Sequence, residues 1–466
     1  MSKLKHAGQG ASGKSSGGSG IDRVRARTRA AVIVPVLPRA FHADDEAGQN
    51  RPRLTRSSDA RHEEALGLAG AIDLDIVYSV VVTVNDPRPA TLLGSGKVEE
   101  IAEIVTEKKV EVVIVDHPLT PVQQRNLEKE LNAKVLDRTA LILEIFGERA
   151  RTKEGTLQVE LAHLEYQRGR LVRSWTHLER QRGGGGFLGG PGETQIEADR
   201  RVLQDKIIKL KRELETVRRT RDLHRAKRKK VPFPVVAIVG YTNAGKSTLF
   251  NRLTGAGVLA EDMLFATLDP TLRRVKLPHG TPIILSDTVG FISDLPTHLV
   301  AAFRATLEEV VEADLVIHLR DIADPDTVAQ AEDVARILGD LGVDASDRKR
   351  VIEVWNKIDL LDEGNRTRLL DEGRAERAEP PIAISAVTGE GIDALTTLIE
   401  QRVSGELVPV DVTLRPDQLG LTDWLYRNGE VVSRADNDDG SVSISMRVTE
   451  ATREEISVRL DGRKRG

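Results

Sequence analysis

Residues 240–247 combine the side chains and spacing that hold a polyphosphate, with the pattern G-x-x-x-x-G-K-S. The two glycines let the backbone turn tightly and direct its N–H groups at phosphate oxygens. The lysine brings a positive charge for the β and γ phosphates, and the serine brings a hydroxyl for Mg²⁺. The apolar run 235–239 predicts a buried strand before the segment, and residues 248–253 predict a helix whose N-terminal dipole attracts anions. The candidate binding residues are Gly240, Tyr241, Thr242, Asn243, Ala244, Gly245, Lys246 and Ser247.

Two later segments, residues 356–359 and 385–387, predict which base is bound. The Asp359 carboxylate can accept hydrogen bonds from both the N1–H and the 2-amino group of guanine. Adenine lacks both donors and would leave the carboxylate unpaired, so the segment favours guanine. The amides of the second loop are expected to reach the guanine O6. The two segments consist of Asn356, Lys357, Ile358 and Asp359, and of Ser385, Ala386 and Val387.

Two further segments, 265–269 and 287–290, are expected to respond to a third phosphate. Asp287 ends an apolar run and can hold Mg²⁺ through water, and the Gly290 amide can contact the γ phosphate. The earlier segment has no clear periodicity, as expected of a loop that only the triphosphate orders. The members are Phe265, Ala266, Thr267, Leu268 and Asp269, and Asp287, Thr288, Val289 and Gly290.

Thr267 is the candidate for a second hydroxyl on Mg²⁺ beside Ser247, so these two residues are the predicted metal ligands. Thr271 and Thr288 are the alternatives, and Thr267 would then only cap a turn. The candidate catalytic residues are Lys246, Thr267 and Gly290.

The ordered set GYTNAGKS, FATLD, DTVG, NKID and SAV resembles the five G motifs of translation-factor-class GTPases. GYTNAGKS together with FATLDPT is similar to the HflX family of ribosome-associated GTPases, in the Obg–HflX group, and the resemblance covers about residues 70–460. It implies a GTPase that uses GTP/GDP and Mg²⁺ and binds the large ribosomal subunit. It also implies a glycine loop near the peptidyl-transferase region of ribosomal RNA, and a role in splitting stalled or idle ribosomes under stress.

Phe291 stands where many small GTPases carry a glutamine that orients the attacking water. Phenylalanine cannot orient water by hydrogen bonding, so we expect slow intrinsic hydrolysis that a partner accelerates. The alternative is that Phe291 is a hydrophobic plug beneath the switch.

Composition favours a cytoplasmic protein without a membrane span, and we expect a monomer. The 466 residues include no cysteine, which excludes disulfides and thiolate metal sites. No apolar run approaches the roughly 20 residues needed to cross a bilayer. The net charge of −4 conceals a basic segment, because residues 151–230 hold 21 Lys and Arg against 11 Asp and Glu.

Alternating strand and helix patterns predict a multidomain α/β chain. Residues 1–70 are expected to form a disordered basic extension, and 71–150 a small parallel α/β domain. A basic antiparallel helical hairpin (151–232) precedes the P-loop GTPase domain (233–404), and a small α/β domain (405–466) ends the chain. Residues 94–97, Gly-Ser-Gly-Lys, suggest a second phosphate site, but the first glycine and the Mg²⁺ hydroxyl are missing.

The hairpin is predicted from two apolar seams at helical spacing. Its tip, residues 183–192, contains seven glycines with Phe187 and Leu188 as the large side chains. Such a loop suits insertion into an irregular partner surface, although a floppy connector is the alternative. Thr194 and Glu197 form a capping-box pattern that predicts the start of the second helix. Basic residues crowd its end, which favours RNA phosphates as partner.

Two other functions remain open at this point. A signalling or assembly GTPase could scaffold protein partners without touching RNA, and its binding would depend little on salt. An RNA-modifying enzyme would need catalytic residues outside residues 233–404, and the sequence shows no metal or nucleophile cluster there.

Overall fold

A computed structural model provides the architecture. It describes residues 27–37, 56–181, 191–228, 233–255, 264–265, 270–293, 304–375, 380–404 and 408–460. It confirms a multidomain α/β protein with parallel sheets.

The N-terminal domain is a parallel four-stranded sheet with helices on its faces. Its elements are β1 (Arg29–Val36), α1 (Ser58–Gly70), β2 (Asp75–Thr83), α2 (Ser95–Glu107), β3 (Val112–Val115), α3 (Pro121–Leu131), β4 (Lys134–Asp137) and α4 (Arg138–Arg149). The strand order is β2-β1-β3-β4. Thr120 and Gln123 form a capping box at the start of α3, with a proline at its first position.

The expectation that residues 1–70 are a disordered extension was wrong for β1 and α1. Strand β1 lies between β2 and β3, and its residues 30–34 are completely buried. Helix α1 begins after Ser57, whose hydroxyl accepts from the Ala60 amide at 3.1 Å. A short apolar strand becomes stable only when its neighbours pair with it, and the polar sequence around it conceals this when composition is averaged.

A six-stranded sheet forms the central domain. Its elements are β5 (Val235–Gly240), α7 (Lys246–Thr254), β6 (Thr271–Lys276), β7 (Pro282–Asp287), α8 (Arg304–Val311), β8 (Leu315–Asp321), α9 (Thr327–Asp340), β9 (Val351–Asn356), α10 (Glu363–Ala375), β10 (Ile382–Ala383) and α11 (Ile392–Ser404). The order is β10-β9-β8-β5-β7-β6, and β6 alone in this sheet runs antiparallel to its neighbour. The buried strands carry continuous apolar runs, as is typical of parallel sheets covered on both faces. The mixed sequence of β6 gave no strand prediction because β6 is a half-exposed edge.

Two long helices, α5 (Lys153–Gln181) and α6 (Pro191–Arg228), form the hairpin between these domains. Their shared apolar cluster is made of Leu157, Leu164, Ile207, Leu210 and Leu214. Helix α6 begins at Pro191, so the predicted start at Thr194 was wrong. Proline is favoured at the first position of a helix because its missing N–H needs no partner there. Residues 182–190, with Phe187 and Leu188, lie outside the described residues, and the insertion loop stays a prediction.

The C-terminal domain is an antiparallel three-stranded sheet covered by helices. Its elements are β11 (Val408–Leu414), α12 (Thr422–Asn428), β12 (Glu430–Asp436), β13 (Val442–Val448) and α13 (Glu450–Leu460). The order is β11-β13-β12, and alternate residues of β11 and β13 form the core with Leu425 and Ile456. Strand β12 and helix α13 lack a clear apolar pattern and were not predicted.

No helix in the described part of the chain is long and apolar enough to cross a membrane.

The N-terminal and central domains share one hydrophobic cluster. The rings of Phe146 on α4 and Phe265 meet edge to face, with centroids 4.7 Å apart. Leu264 also lies against α1, where a methyl group on Gly67 would approach it at 3.0 Å. The segment predicted to sense the third phosphate therefore packs, at its start, on the N-terminal domain.

Buried charges join the same two domains. Glu64 on α1 accepts hydrogen bonds from Arg56, Arg138 and the Tyr241 hydroxyl. Burial alone would raise the pKa of Glu64, but the Arg138 and Arg56 guanidiniums and the Tyr241 hydrogen bond hold it at about 2. Glu64 is therefore an ionised carboxylate at neutral pH.

We expect Ile207 and Ile208, neighbours on α6, to differ in their contribution to stability. Ile207 is 1% exposed and lies in the hairpin core, whereas Ile208 is 38% exposed. Ile207→Ala should lower the free energy of unfolding by about 2 to 5 kcal/mol, and the control Ile208→Ala should change it by less than about 1 kcal/mol. Urea denaturation of both variants checks this, and equal effects would show that the seam does not stabilise the hairpin.

Glu64 should make the folded chain sensitive to acid. Its pKa is lowered from 4.5 to about 2 on folding, so its contribution is complete above pH 4.5 and is lost as the pH falls towards 2. Relative to the unchanged chain, E64Q should be destabilised by on the order of 3 kcal/mol near pH 6 and hardly at all near pH 2. Denaturant titrations across this range test the expectation, with exposed Glu63→Gln as control. A difference in the free energy of unfolding between the unchanged chain and E64Q that stays constant with pH would contradict this expectation.

Candidate functional site

The loop between β5 and α7 has the shape expected of a phosphate loop. Strand β5 ends at Gly240 and α7 begins at Lys246. Between them, Asn243 and Gly245 adopt positive φ angles of 60° and 91°. The backbone thus turns through the left-handed region immediately before a helix N-terminus, where N–H groups can converge on an anion.

The two glycines of the motif serve different purposes. Gly245 needs its freedom at φ 91°, and a methyl group there would lie 2.3 Å from the Asn356 Nδ2. Gly240 has no positive φ, so the expectation that it turns the chain was wrong. A methyl group on Gly240 would lie 2.2 Å from the Leu319 carbonyl oxygen. Gly240 is required by the close approach of β8.

Lys246 is a buried ammonium beside the loop. Its Nζ donates to the Tyr241 carbonyl oxygen at 2.7 Å. Burial lowers the pKa of Lys246 to about 8, although the Asp287 charge favours the protonated form. A desolvated cation with one backbone acceptor fits an approaching phosphate, which would restore the solvation that burial removed.

The oxygens expected at Mg²⁺ lie together at the ends of α7 and β7. The Ser247 hydroxyl donates to Asp287 Oδ2 at 2.8 Å. Thr288 donates instead to the Ile238 carbonyl at 2.6 Å, and Thr271 begins β6. Hydroxyl and carboxylate oxygens are the ligands that Mg²⁺ prefers, so Ser247 and Asp287 fit the ion. Thr267 lies outside the described residues, as do Ala266, Leu268 and Asp269.

Asn356 connects three segments of the site. Its Nδ2 donates to the Ala244 carbonyl at 2.8 Å, and its Oδ1 accepts from the Ala386 amide at 2.9 Å. The side chain is buried at the end of β9. The amides of loop 385–387 are predicted to reach the base, and the Ala386 amide donates to Asn356 in the structure.

The rest of the predicted base site surrounds this connection. Lys357 has φ 67°, and its Nζ lies 2.7 Å from Asp321. Asp359 lies in a 3-10 turn (Ile358–Leu360) that its buried neighbour Ile358 anchors, and its carboxylate is exposed. Ser385 is buried and accepts from the Thr388 amide at 3.0 Å, whereas Val387 is exposed. An exposed carboxylate on a fixed turn can receive two donors of a base edge.

Arg252, near the end of α7, was missed by sequence reasoning. Its Nε donates to the Ala386 carbonyl at 2.6 Å, and its Nη2 donates to the Val387 carbonyl. The arginine thus fastens the loop 385–387 to the helix that follows the phosphate loop. An arginine on a helix carries no sequence signal for such a contact, because the partner lies more than 130 residues away.

The segment after β7 lies directly on the phosphate loop. The Phe291 amide donates to the Gly240 carbonyl at 3.1 Å, and the Thr242 amide donates to the Phe291 carbonyl at 2.7 Å. The Phe291 side chain is 1% exposed and packs in the interdomain cluster with Val289 and Phe265. Its ring points into the core, which agrees with the plug that sequence analysis left as an alternative.

Models of four protein families match consecutive parts of the chain. Residues 59–147 and 149–228 match families described as GTP-binding GTPase N-terminal and GTP-binding GTPase Middle Region. Residues 235–357 match a 50S ribosome-binding GTPase family, and residues 372–465 match the HflX C-terminal domain.

Whole proteins are similar over most of the chain. The GTPase HflX of Magnetococcus marinus is 52% identical over 364 residues, which cover 78% of this chain and 82% of that protein. The GTPase HflX of Escherichia coli is 44% identical over 386 residues, which cover 83% and 89%. A crystal structure of a GTP-binding protein from Sulfolobus solfataricus in complex with GDP aligns with a TM-score of 0.42 and 24% identity, covering 80% of this chain and 98% of that chain.

We predict that Gly245→Ala abolishes tight binding of a polyphosphate ligand. The new methyl group collides with Asn356 and forces a strained φ, so the loop and its partner must separate. Nucleotide affinity should fall on the order of 100-fold, or about 3 kcal/mol. Gly255→Ala is the control, because Gly255 also has positive φ but its methyl group would meet no atom within 4 Å. Titration with fluorescent nucleotides checks both, and equal losses would contradict the role of the close contact.

Proposed function

The chain belongs to the HflX family of GTPases, and from this membership we propose that it is a cytoplasmic factor that binds the large ribosomal subunit in its GTP form and splits stalled or idle ribosomes under stress. The main structural support for a GTP site is the position of the Asn356 side chain. It joins the phosphate loop to the loop 385–387 and leaves the Asp359 carboxylate exposed beside them. The family description of residues 235–357 supports ribosome binding.

Different residues of the central domain contact different parts of GTP. Lys246 neutralises the β and γ phosphates, and the amides of residues 240–247 surround them. Ser247 would bind Mg²⁺ together with Thr267, and Asp287 would hold the ion through water. When bound, the metal spreads the negative charge that develops on the phosphate oxygens. The Gly290 amide then distinguishes GTP from GDP.

Asp359 provides the preference for guanine. Its carboxylate accepts from N1–H and from the 2-amino group, and Arg252 with Asn356 fixes the neighbouring loop 385–387 against the base. Because the Phe291 side chain is buried and has no hydrogen-bonding group, the attacking water lacks an orienting side chain at that position. Hydrolysis is therefore slow until a ribosomal contact orders the water.

The hairpin supplies the RNA contact. Among the side chains of α6 between residues 198 and 219 that the structure describes, the exposed basic ones are Arg200, Arg201, Lys206, Lys209, Lys211, Arg212 and Arg219. Of the described acidic side chains in the same stretch, Asp205 and Glu215 are exposed. Such a surface favours phosphate backbones, and the predicted glycine-rich tip would approach the peptidyl-transferase region.

Sedimentation with ribosomes tests this function. The chain should migrate with the large subunit in the presence of a non-hydrolysable GTP analogue, and about tenfold less with GDP. Binding should weaken steeply with salt. With GTP and idle ribosomes, the 70S peak should decrease and the free subunits should increase.

A variant of the base site gives the matched control. Asp359→Asn exchanges an acceptor for a donor, so it should lose GTP-dependent binding and regain it with xanthosine triphosphate, whose 2-oxo group accepts. Binding that ignores the nucleotide or the salt would favour a GTPase that scaffolds proteins without RNA contact.

A further inference from the structure

The two residues at the junction of β4 and α4, Asp137 and Arg138, contact different parts of the molecule. Asp137 caps α4 by accepting from the Ala140 amide at 2.8 Å. The same carboxylate accepts from the Tyr166 hydroxyl at 2.7 Å and from Arg170 at 3.0 Å, both on hairpin helix α5. Asp137 is 2% exposed. The base of the hairpin is thus bonded to the start of α4.

The next residue, Arg138, contacts the segment after β7. Its Nη2 donates to the Ser293 carbonyl at 3.0 Å, and its guanidinium also binds Glu64 and Asp116. The Glu64 carboxylate accepts in turn from the Ser293 hydroxyl at 3.2 Å. Neutralisation by these carboxylates keeps the pKa of Arg138 well above its ordinary value despite full burial.

Tyr241 connects this charged cluster to the phosphate loop. Its hydroxyl donates to Glu64 and accepts from the Ser293 amide at 2.8 Å. Ser293 is therefore held through its amide, hydroxyl and carbonyl by groups of the N-terminal domain and the phosphate loop. These bonds fix residues 290–293 against the loop.

In this position, Gly290 lies close to the lysine of the loop. A methyl group on Gly290 would lie 3.0 Å from the Lys246 Nζ and 2.9 Å from the Thr242 Cγ2. The space on that side of Gly290 is smaller than a methyl group. A phosphate oxygen between Lys246 and Gly290 needs more room than this, which a shift of residues 290–293 or of the flexible Lys246 side chain would provide. Ser293 is the point at which the N-terminal domain resists the first of these shifts.

We propose that Glu64 and Arg138 are positioning residues that hold residues 290–293 on the phosphate loop, and that a third phosphate displaces Ser293 from Arg138 and thereby loosens the Asp137 contact with hairpin helix α5. This inference rests on the proposed function and deepens it, since it names the bonds by which the hairpin responds to GTP. Asp137 and Arg138 are adjacent residues at one helix start, so a displacement of the Arg138 backbone also displaces Asp137.

Nucleotide titrations of the full chain test the first part of the proposal, that Glu64 and Arg138 hold residues 290–293 on the phosphate loop. R138Q removes the charge that binds Ser293 and should improve the affinity for a non-hydrolysable GTP analogue relative to GDP about fivefold to tenfold. Affinity for GDP itself should change less than about twofold, which also shows that the central domain is folded. E64Q, which changes a carboxylate partner of Arg138, should raise the same affinity ratio by a similar factor. R138K keeps the positive charge, so its affinity ratio should stay close to that of the unchanged chain. A ratio that stays unchanged in R138Q and E64Q overturns the proposal.

Tyr166→Phe tests the link to the hairpin. It removes the hydroxyl that binds Asp137 and should shift the same affinity ratio in the same direction, by a smaller factor. When Tyr166→Phe is added to R138Q, the affinity ratio should not change further, because R138Q already interrupts the connection between Ser293 and the hairpin. Additive effects of the two substitutions would show that the hairpin contact and the Ser293 contact are independent.

Hydrogen exchange of the unmodified chain provides a test that needs no variant. The analogue should increase exchange relative to GDP in peptides that cover residues 290–293, 137–142 and 166–170 together, because the bonds that protect them are released. Equal exchange in both states overturns the inference. Failure to bind any guanine nucleotide would instead refute the proposed function, so the two failures are distinguishable.

Discussion

The candidate site depends on the hydrogen bonds of one buried amide, Asn356. The phosphate loop, the turn that carries Asp359 and the loop 385–387 leave different strands of the central sheet, and each could move by itself. By donating to Ala244 and accepting from Ala386, the Asn356 amide holds three chain segments at one edge of the sheet. Gly245 allows this close approach because it lacks a side chain. The segments predicted to bind the phosphates and to select the base are therefore joined to one another by Asn356.

A second constraint is the burial of charge between the N-terminal and central domains. Two arginines, Arg56 and Arg138, share the Glu64 carboxylate together with the Tyr241 hydroxyl. Desolvating such groups is costly, and removing one partner leaves the others uncompensated. The cluster therefore stabilises the arrangement of the two domains that the structure shows, because separating its buried charges is costly.

Much of the fold was predictable from local pattern. The buried strands of the central domain, the helices α2 to α4 and the hairpin seam carry apolar residues at spacings that only one element type satisfies. Strand β1 was missed because its stability comes from its neighbours β2 and β3. Strands β6 and β12 were missed because exposed edges need few apolar residues. In the site, Asp359 and Lys246 were recognisable from their motifs, whereas Arg252 and Glu64 were not, because their partners are far away in sequence.

The sequence by itself determined the family of the chain and the basic hairpin, and it predicted a lysine for phosphate, a serine for Mg²⁺ and a carboxylate for guanine. Motif residues bind through contacts within a few positions of one another, so spacing alone is informative. The tertiary structure decided that the Ala386 amide donates to Asn356 and that the Phe291 side chain packs in the core. It also decided that Glu64 binds Tyr241 of the phosphate loop and that Arg138 binds Ser293. Those contacts join segments separated by about 30 to almost 180 residues, and only folding brings such segments together.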